Sequence, residues 1–348
     1  FAGWEGSVSG EVTSFEITMD EDKTLKALFK SSWQLLTKVA GGGKVTLGDP
    51  PTSGGDTQPE ADINVPDDYT TIQAAIDAAA DGDVIVIGKG IFKENLIVSG
   101  KNLKLFGTDS LKPVLDGQNV GPVMSIKDSI VELNGLTLTN GKAVEINLPG
   151  HGGEYGGGII IVTSTCSINN CNIDNNHAPA GGGGGLSAWG KSKVYVDNTI
   201  IKNNTARSSG AIHFYDSSFE CINSLIFDNQ STDGPNASIF FYRGGDFINI
   251  ENCIIANNSG SSGGAIGGHM LFDADINITD SIISSPNPIW NGDGGDVTLK
   301  YTLLKYNEKI SNWPGDHEAS RIQQISVIEA DPKFVDAVNG DYRLGFGS

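Results

Sequence analysis

Five phrases decide how this chain folds: INNCNIDNN (168–176), VDNTIIKNN (196–204), CINSLIFDN (221–229), IENCIIANN (250–258) and ITDSIISSP (278–286). Their ends fall at 176, 204, 229, 258 and 286, so the steps are 28, 25, 29 and 28 residues. A near-constant period with β-branched residues and an Asn at a fixed place marks a repeat architecture. Each phrase follows a second one: GGGIIIV (156–162), GGGLSAW (183–189), SSGAIHFY (208–215), NASIFFY (236–242) and GGAIGGH (263–269). Every period thus holds two or three short apolar strands divided by Gly, Asn, Asp and Ser turns. One period cannot bury its own apolar face, so the periods must stack.

Stacking assigns direction to the side chains, because alternate residues of a strand face opposite ways. The column Ile159, Leu186, Ile212, Ile239, Ile266 points inward, as does Ile161, Ala188, Phe214, Phe241, Gly268. The last Asn of each phrase (Asn176, Asn204, Asn229, Asn258) sits at a bend, where Asn tolerates unusual φ and can bond its neighbours above and below. These Asn are expected to form a structural ladder with no chemistry. Two columns face outward: Ile160, Ser187, His213, Phe240, Gly267, and beside it Val162, Trp189, Tyr215, Tyr242, His269.

Four rings in adjacent coils, about 4.8 Å apart, define a strip flanked by His213, Asp216 and Arg243. Two readings stand. The rings cover the sheet beneath a loop, or they form a platform for a glycan, whose CH faces pack on aromatic rings. The platform reading makes Trp189, Tyr215, Tyr242, Asp216, Lys202 and Arg207 the substrate-binding residues, with the Gly-rich inserts 148–158 and 178–185 as walls. It expects Trp189→Ala and Tyr242→Ala to weaken glycan binding and leave melting almost unchanged.

Composition narrows the partners. The 348 residues include 46 glycines and carry a formal charge of −19, which argues against nucleic acid and anionic membrane. It also disfavours a polyanionic glycan unless calcium bridges the two; Asp216, Asp246 and Asp273 are the candidate ligands, since calcium takes several oxygens. Nothing resembles a transmembrane span, and a monomer is expected. Cys171 and Cys253 share a column three coils apart, on the order of 14 Å, beyond the ~7 Å reach of a disulfide. Cys166 and Cys221 fall among core hydrophobes. Four free thiols and no metal site among them are expected.

Along the chain, 1–52 is a small β module, with strands predicted at Ser14–Met19 and Thr24–Phe29. It resembles part of a Listeria–Bacteroides type surface repeat in its F-x-GW-x-G opening, the ITMDEDKT turn and the closing A-L-F. Such modules serve as spacers on exported bacterial proteins. Phe1 does not begin a signal peptide, and the start reads as the middle of something longer. A linker covers 53–63, and the β stack runs over 64–348. The stack opens with TTIQAAIDAAADGD, where Thr70 and Gln73 suggest a capping box before an Ile72/Ala75/Ile76/Ala79 stripe. One short helix here would cover the first coil's bare edge.

The run VPDDYTTIQAAIDAAADGDVIVIGKGIFKENLIVSGKNLKLFG (65–107) resembles the N-terminal cap and first coils of the pectin-lyase-like right-handed parallel β-helix superfamily. Its wording is close to that of pectin methylesterases in particular. The resemblance implies an all-β solenoid with an N-terminal capping helix, in an extracellular or cell-surface protein. The paired strand phrases also resemble repeats of chlamydial polymorphic outer-membrane proteins and other adhesin-like β-helices. The tail 328–348 resembles the closing segment of exported bacterial β-helix proteins.

The superfamily's chemistries can be held against these residues. No QDT motif of a methylesterase occurs. Of the NTD, DD, GHG and RIK motifs of polygalacturonase-like hydrolases, only GHG (150–152) stands in a loop, far from Asp67–Asp68. A polysaccharide lyase needs a base and a cation beside a uronate carboxylate; His213, Tyr215, Arg243 and His269 supply those types. The competing class is a non-catalytic adhesin or glycan-binding stalk.

Overall fold

The computed structural model describes residues 3–6, 25–28, 60–108, 112–148, 151–233, 238–260, 265–269, 274–285, 289–291, 295–305, 311–312, 322–337 and 341–344. It separates into two units, 1–58 and 59–348. In the first, Gly3–Gly6 pairs antiparallel with Leu25–Leu28. The second strand lies inside the predicted Thr24–Phe29; the predicted Ser14–Met19 lies outside the described residues.

The second unit is a right-handed parallel β-helix. Each coil contributes three short strands, as in Ile159–Val162, Thr165–Asn169 and Asn172–Asp174. The first two kinds of strand build one 18-stranded sheet and the third builds a 10-stranded sheet. Register is as the repeats dictate: Ile159 pairs Leu186, then Ile212, Ile239 and Ile266. Both inward columns are buried in one continuous core.

Three one-residue corners turn each coil. The corner after the first strand holds Asp128, Thr163, Lys191, Asp216 and Arg243, all with φ between 47° and 64°. Asn and Asp dominate the other two because a short polar side chain tolerates the left-handed conformation. At the third corner the residue with positive φ is the penultimate one of each phrase (Asn175, Asn203, Asp228, Asn257), not the final Asn as expected. The final Asn instead turns into the interior. Asn176, Asn204, Asn229 and Asn258 are at most 1% exposed. Each accepts, through Oδ1, from the backbone N–H and the side-chain amide of the Asn before it where that residue is Asn. Serines do the same at the first corner: the N–H groups of Ser129, Ser164 and Ser192 donate to Ser164, Ser192 and Ser217 hydroxyls. Cys171 and Cys253 occupy such a hydroxyl slot at the second corner, in line with Thr199, Ser224 and Ser281.

All four cysteines are buried and free. Burial pushes the Cys171 thiol up to about 11. Cys221 Sγ lies 3.7 Å from Cys253 Sγ, a neighbour that the same-column comparison did not anticipate.

The capping helix α1 spans Ile72–Ala78 and buries Ile72, Ala75 and Ile76 over the first coil. Its N-cap is Thr71, one residue beyond the expected Thr70, and Thr71 accepts from the N–H of Ala74. No Gln73 capping box closes; Glu94 from the coil beneath accepts from the N–H groups of Ile72 and Gln73, both at 2.9 Å. At the other end Lys101 Nζ donates to the carbonyls of Ile76, Asp77 and Ala79 at 2.8–2.9 Å. Two charges from the solenoid thus neutralise both helix ends, in the sense the macrodipole favours. Lys101→Met is expected to cost about 1–2 kcal/mol, read as a lower unfolding midpoint and as faster amide exchange at Ala75 and Ala79.

At the far end a hairpin of Phe334–Asp336 and Asp341–Leu344 packs on the outer face of the 10-stranded sheet. Tyr342 packs at a tilt against Phe227, with ring centroids 4.8 Å apart, and its hydroxyl donates to Asp228.

Candidate functional site

The outward ring column is in register. Val162 pairs Trp189, Trp189 pairs Tyr215, Tyr215 pairs Tyr242 and Tyr242 pairs His269. Parallel pairing without slippage brings each ring over the next: Trp189 to Tyr215 at 4.8 Å and 12°, Tyr215 to Tyr242 at 5.3 Å and 20°, Tyr242 to His269 at 5.5 Å and 10°. The ring faces are therefore spent on one another. What the column turns outward is edges, and the edges of Tyr and His are polar. The flat platform of exposed faces is corrected to a ladder of stacked rings.

The two ends of the ladder differ. Tyr155, from the Gly-rich insert, packs edge-on against Trp189 at 4.6 Å and lies 5.3 Å from His213. Trp189 is only 4% exposed, and its Nε1 donates to Ser187 Oγ at 2.8 Å. The insert expected to wall the strip instead lies on it. Burial raises the Tyr155 hydroxyl above its ordinary pKa. His213 and Phe240 are 7% and 3% exposed, packed on one another at 5.8 Å. The His213 Nδ1 is 3.1 Å from the Ser209 hydroxyl. His213 is thus a buried ring under Tyr155, away from any substrate surface. Trp189 likewise offers no surface to a sugar.

Tyr215, Tyr242 and His269 are partly exposed. Next to them come the corner residues Asp216 and Arg243. Arg243 is exposed and its guanidinium carbon lies 5.8 Å over the Tyr215 ring, within cation–π range. The open end of the ladder therefore combines two phenols, an imidazole, a carboxylate and a guanidinium.

Lys202 and Arg207 do not join it. Lys202 is on the 10-stranded sheet, 3.9 Å from Asp174 and above Phe227. Arg207 pairs with Asp233 at 3.4 Å. The period places them beside the strip only if the third strand continues the first sheet, whereas a corner intervenes.

Nor are the described calcium candidates, Asp216 and Asp246, part of a group of three acids or imidazoles. Asp246 pairs with Lys193 at 2.7 Å. Its carboxyl is held below the ordinary range by the hydrogen bond and charge of Lys193 and, more weakly, by Lys191. Asp273 lies outside the described residues, and among the described residues no three His, Cys, Asp or Glu side chains are grouped to hold an ion. Of the GHG motif, Gly150 lies outside the described residues, and 151–154 form one strand of a hairpin.

A groove of about 270 Å³ lies on the same corner, toward the N-terminus, lined by Asp128, Ile130, Thr163, Thr165, Lys191 and Lys193 among others. Neither this groove nor Tyr155 left a trace in the repeats. The groove is made where Gly190 adds a residue to one corner, and Tyr155 reaches in from outside the period.

The family model described as right handed beta helix region matches residues 124–304. That is more than half of the chain, which belongs to this family. Among solved structures, a pectin methylesterase from Aspergillus niger is 16% identical, covering 78% of this chain and 92% of its own, with a TM-score of 0.46. Pectin methylesterase PemA from Erwinia chrysanthemi is 14% identical, covering 83% and 98%, with a TM-score of 0.38. An alginate lyase from Paenibacillus is 12% identical, covering 74% and 95%, with a TM-score of 0.32. At such identities and scores they bear on neither site nor chemistry. No curated protein matches the chain.

Proposed function

We propose that this is a polysaccharide-binding β-helix protein of the cell exterior or cell surface, holding a glycan along the open edge of Tyr215, Tyr242 and His269. The observation that carries the reading is the open end of the ladder. Its polar ring edges repeat once per coil, and Arg243 stands beside them. Phenol and imidazole edges suit sugar hydroxyls, and a guanidinium suits a carboxylate. The charge of −19 does not prevent this, because the Debye length in physiological salt is about 8 Å and the contacting groups decide.

Tyr242→Phe keeps the stack and deletes one hydroxyl. It is expected to weaken glycan binding about 5-fold, the worth of one hydrogen bond, with an unchanged melting curve. Equal binding by wild type and Tyr242→Phe across a panel of alginate, pectate and chondroitin would remove the reading.

A second reading has one observation in its favour, the Arg243 guanidinium over Tyr215. In a β-elimination Tyr215, as phenolate, would take the proton beside a uronate carboxylate that Arg243 neutralises. The C4–O bond breaks as the C4–C5 double bond forms, and the departing sugar oxygen takes a proton from the Tyr215 phenol or from water. Ultraviolet absorbance of unsaturated product on incubation with the same glycans separates a lyase from a binding protein.

A further inference from the structure

We infer that the groove at the first corner is a second sugar subsite, built for one anionic sugar residue and distinct from the ring ladder. Only the choice of a sugar rests on the polysaccharide reading; the groove's chemistry argues the rest. Its volume, about 270 Å³, is of the order of the smallest ligand pockets.

Its lining is ordered by charge. Asp128 stands at one end, with the Thr163 hydroxyl bonded to its carboxylate. Lys191 and Lys193 come from the coil that follows. Thr165 lies on the coil between them, and Ile130, 58% exposed, lies beside Asp128 and pairs with Thr165. The two lysines are not equivalent. Lys193 is held by Asp246 at 2.7 Å. Lys191 is exposed, and its charge acts on Asp246 more weakly than that of Lys193.

An anionic sugar satisfies each part. Its carboxylate or sulfate meets Lys191, its hydroxyls meet Thr165 and the outer oxygen of Asp128, and its apolar ring face covers Ile130. Exposed isoleucine next to polar groups is what a sugar's CH face needs and what a free anion does not. The groove also gives a role to an exposed lysine at a corner of an acidic protein, one that touches Asp246 only through its charge and less strongly than Lys193 does. Lys191 holds φ of 64°, a conformation that glycine or asparagine would adopt at lower cost.

The test uses the whole chain with an oligouronate and its neutral methyl ester, by titration calorimetry and by methyl NMR of Ile130. Wild type is expected to bind the acid form more tightly and to shift the Ile130 methyl. Lys191→Gln is expected to lose about 10-fold for the acid form, with the ester unchanged. If Lys191→Gln binds the acid form as wild type does, or if Ile130 never shifts, the groove is not a subsite. Tyr242→Phe reports on the ladder separately: an effect of Lys191→Gln without one of Tyr242→Phe leaves the groove standing and the ladder fallen. Wild type that binds neither glycan overturns both.

Discussion

Asn204→Leu is expected to destabilise the β-helix by about 3–5 kcal/mol, among the largest losses any single substitution here should give. Asn204 is fully buried. Its Oδ1 accepts from the backbone and side-chain amides of Asn176, and its Nδ2 donates to the Ile173 carbonyl and to Asn229 Oδ1. Leucine fills similar space but leaves Asn176 with two buried donors cut off from water, and takes from the Ile173 carbonyl its second donor, the strand pairing with Ile201 remaining. Each orphaned group costs about 1–3 kcal/mol. The loss should be local at first, since stacked coils depend mainly on their neighbours. Amide exchange should rise most in the coils of Asn176 and Asn229. The adjacent Asn203 supplies the control. It holds the left-handed corner with φ of 52° and bonds Asp174 at the surface, so Asn203→Gly should change the midpoint little. A loss under about 1 kcal/mol for Asn204→Leu, or an equal loss for Asn203→Gly, would show that the buried row is not what holds these corners.

That contrast between neighbouring asparagines marks how far the sequence speaks. Period and alternation fix which residues share a column and which columns face inward, because parallel pairing preserves both; Ile212 over Ile239 and Phe214 over Phe241 follow directly. They do not fix which of two consecutive Asn turns the corner and which enters it, since both types of position favour Asn. The cap shows the same one-residue ambiguity between Thr70 and Thr71, resolved by Glu94 and Lys101, which arrive from coils the helix pattern does not mention. At the site, register was legible and exposure was not. Outward is a property of the strand; exposed depends on what lies above, and Tyr155 comes from an irregular insert. Lys202 and Arg207 were misplaced for a related reason, because sequence distance from the ladder hides the corner between the two sheets.

Trp189→Ala is expected to cost about 3–5 kcal/mol, the opposite of a silent change at a binding platform. The ring is 4% exposed. It is held between Tyr155 at 4.6 Å and Tyr215 at 4.8 Å, with His213 at 5.9 Å. Truncation opens a cavity that the parallel strands cannot close, because their backbones are fixed by the ladder of coils on both sides. It also strips Ser187, which is fully buried, of the donor on its hydroxyl. Tyr155 then loses its nearer ring partner and keeps His213 at 5.3 Å, so the insert should loosen and its amides should exchange faster. The effect on glycan binding should be indirect: Tyr215 loses one stacking partner while Tyr242 and His269 keep theirs. Comparing Trp189→Ala with Tyr242→Phe thus separates the buried end of the ladder from the open one. A large drop in melting temperature with binding retained belongs to the first, and lost affinity at constant melting temperature to the second. If Trp189→Ala melts like wild type, the ring is not covered by Tyr155, and the division of the ladder into a structural and a sugar-facing half does not hold.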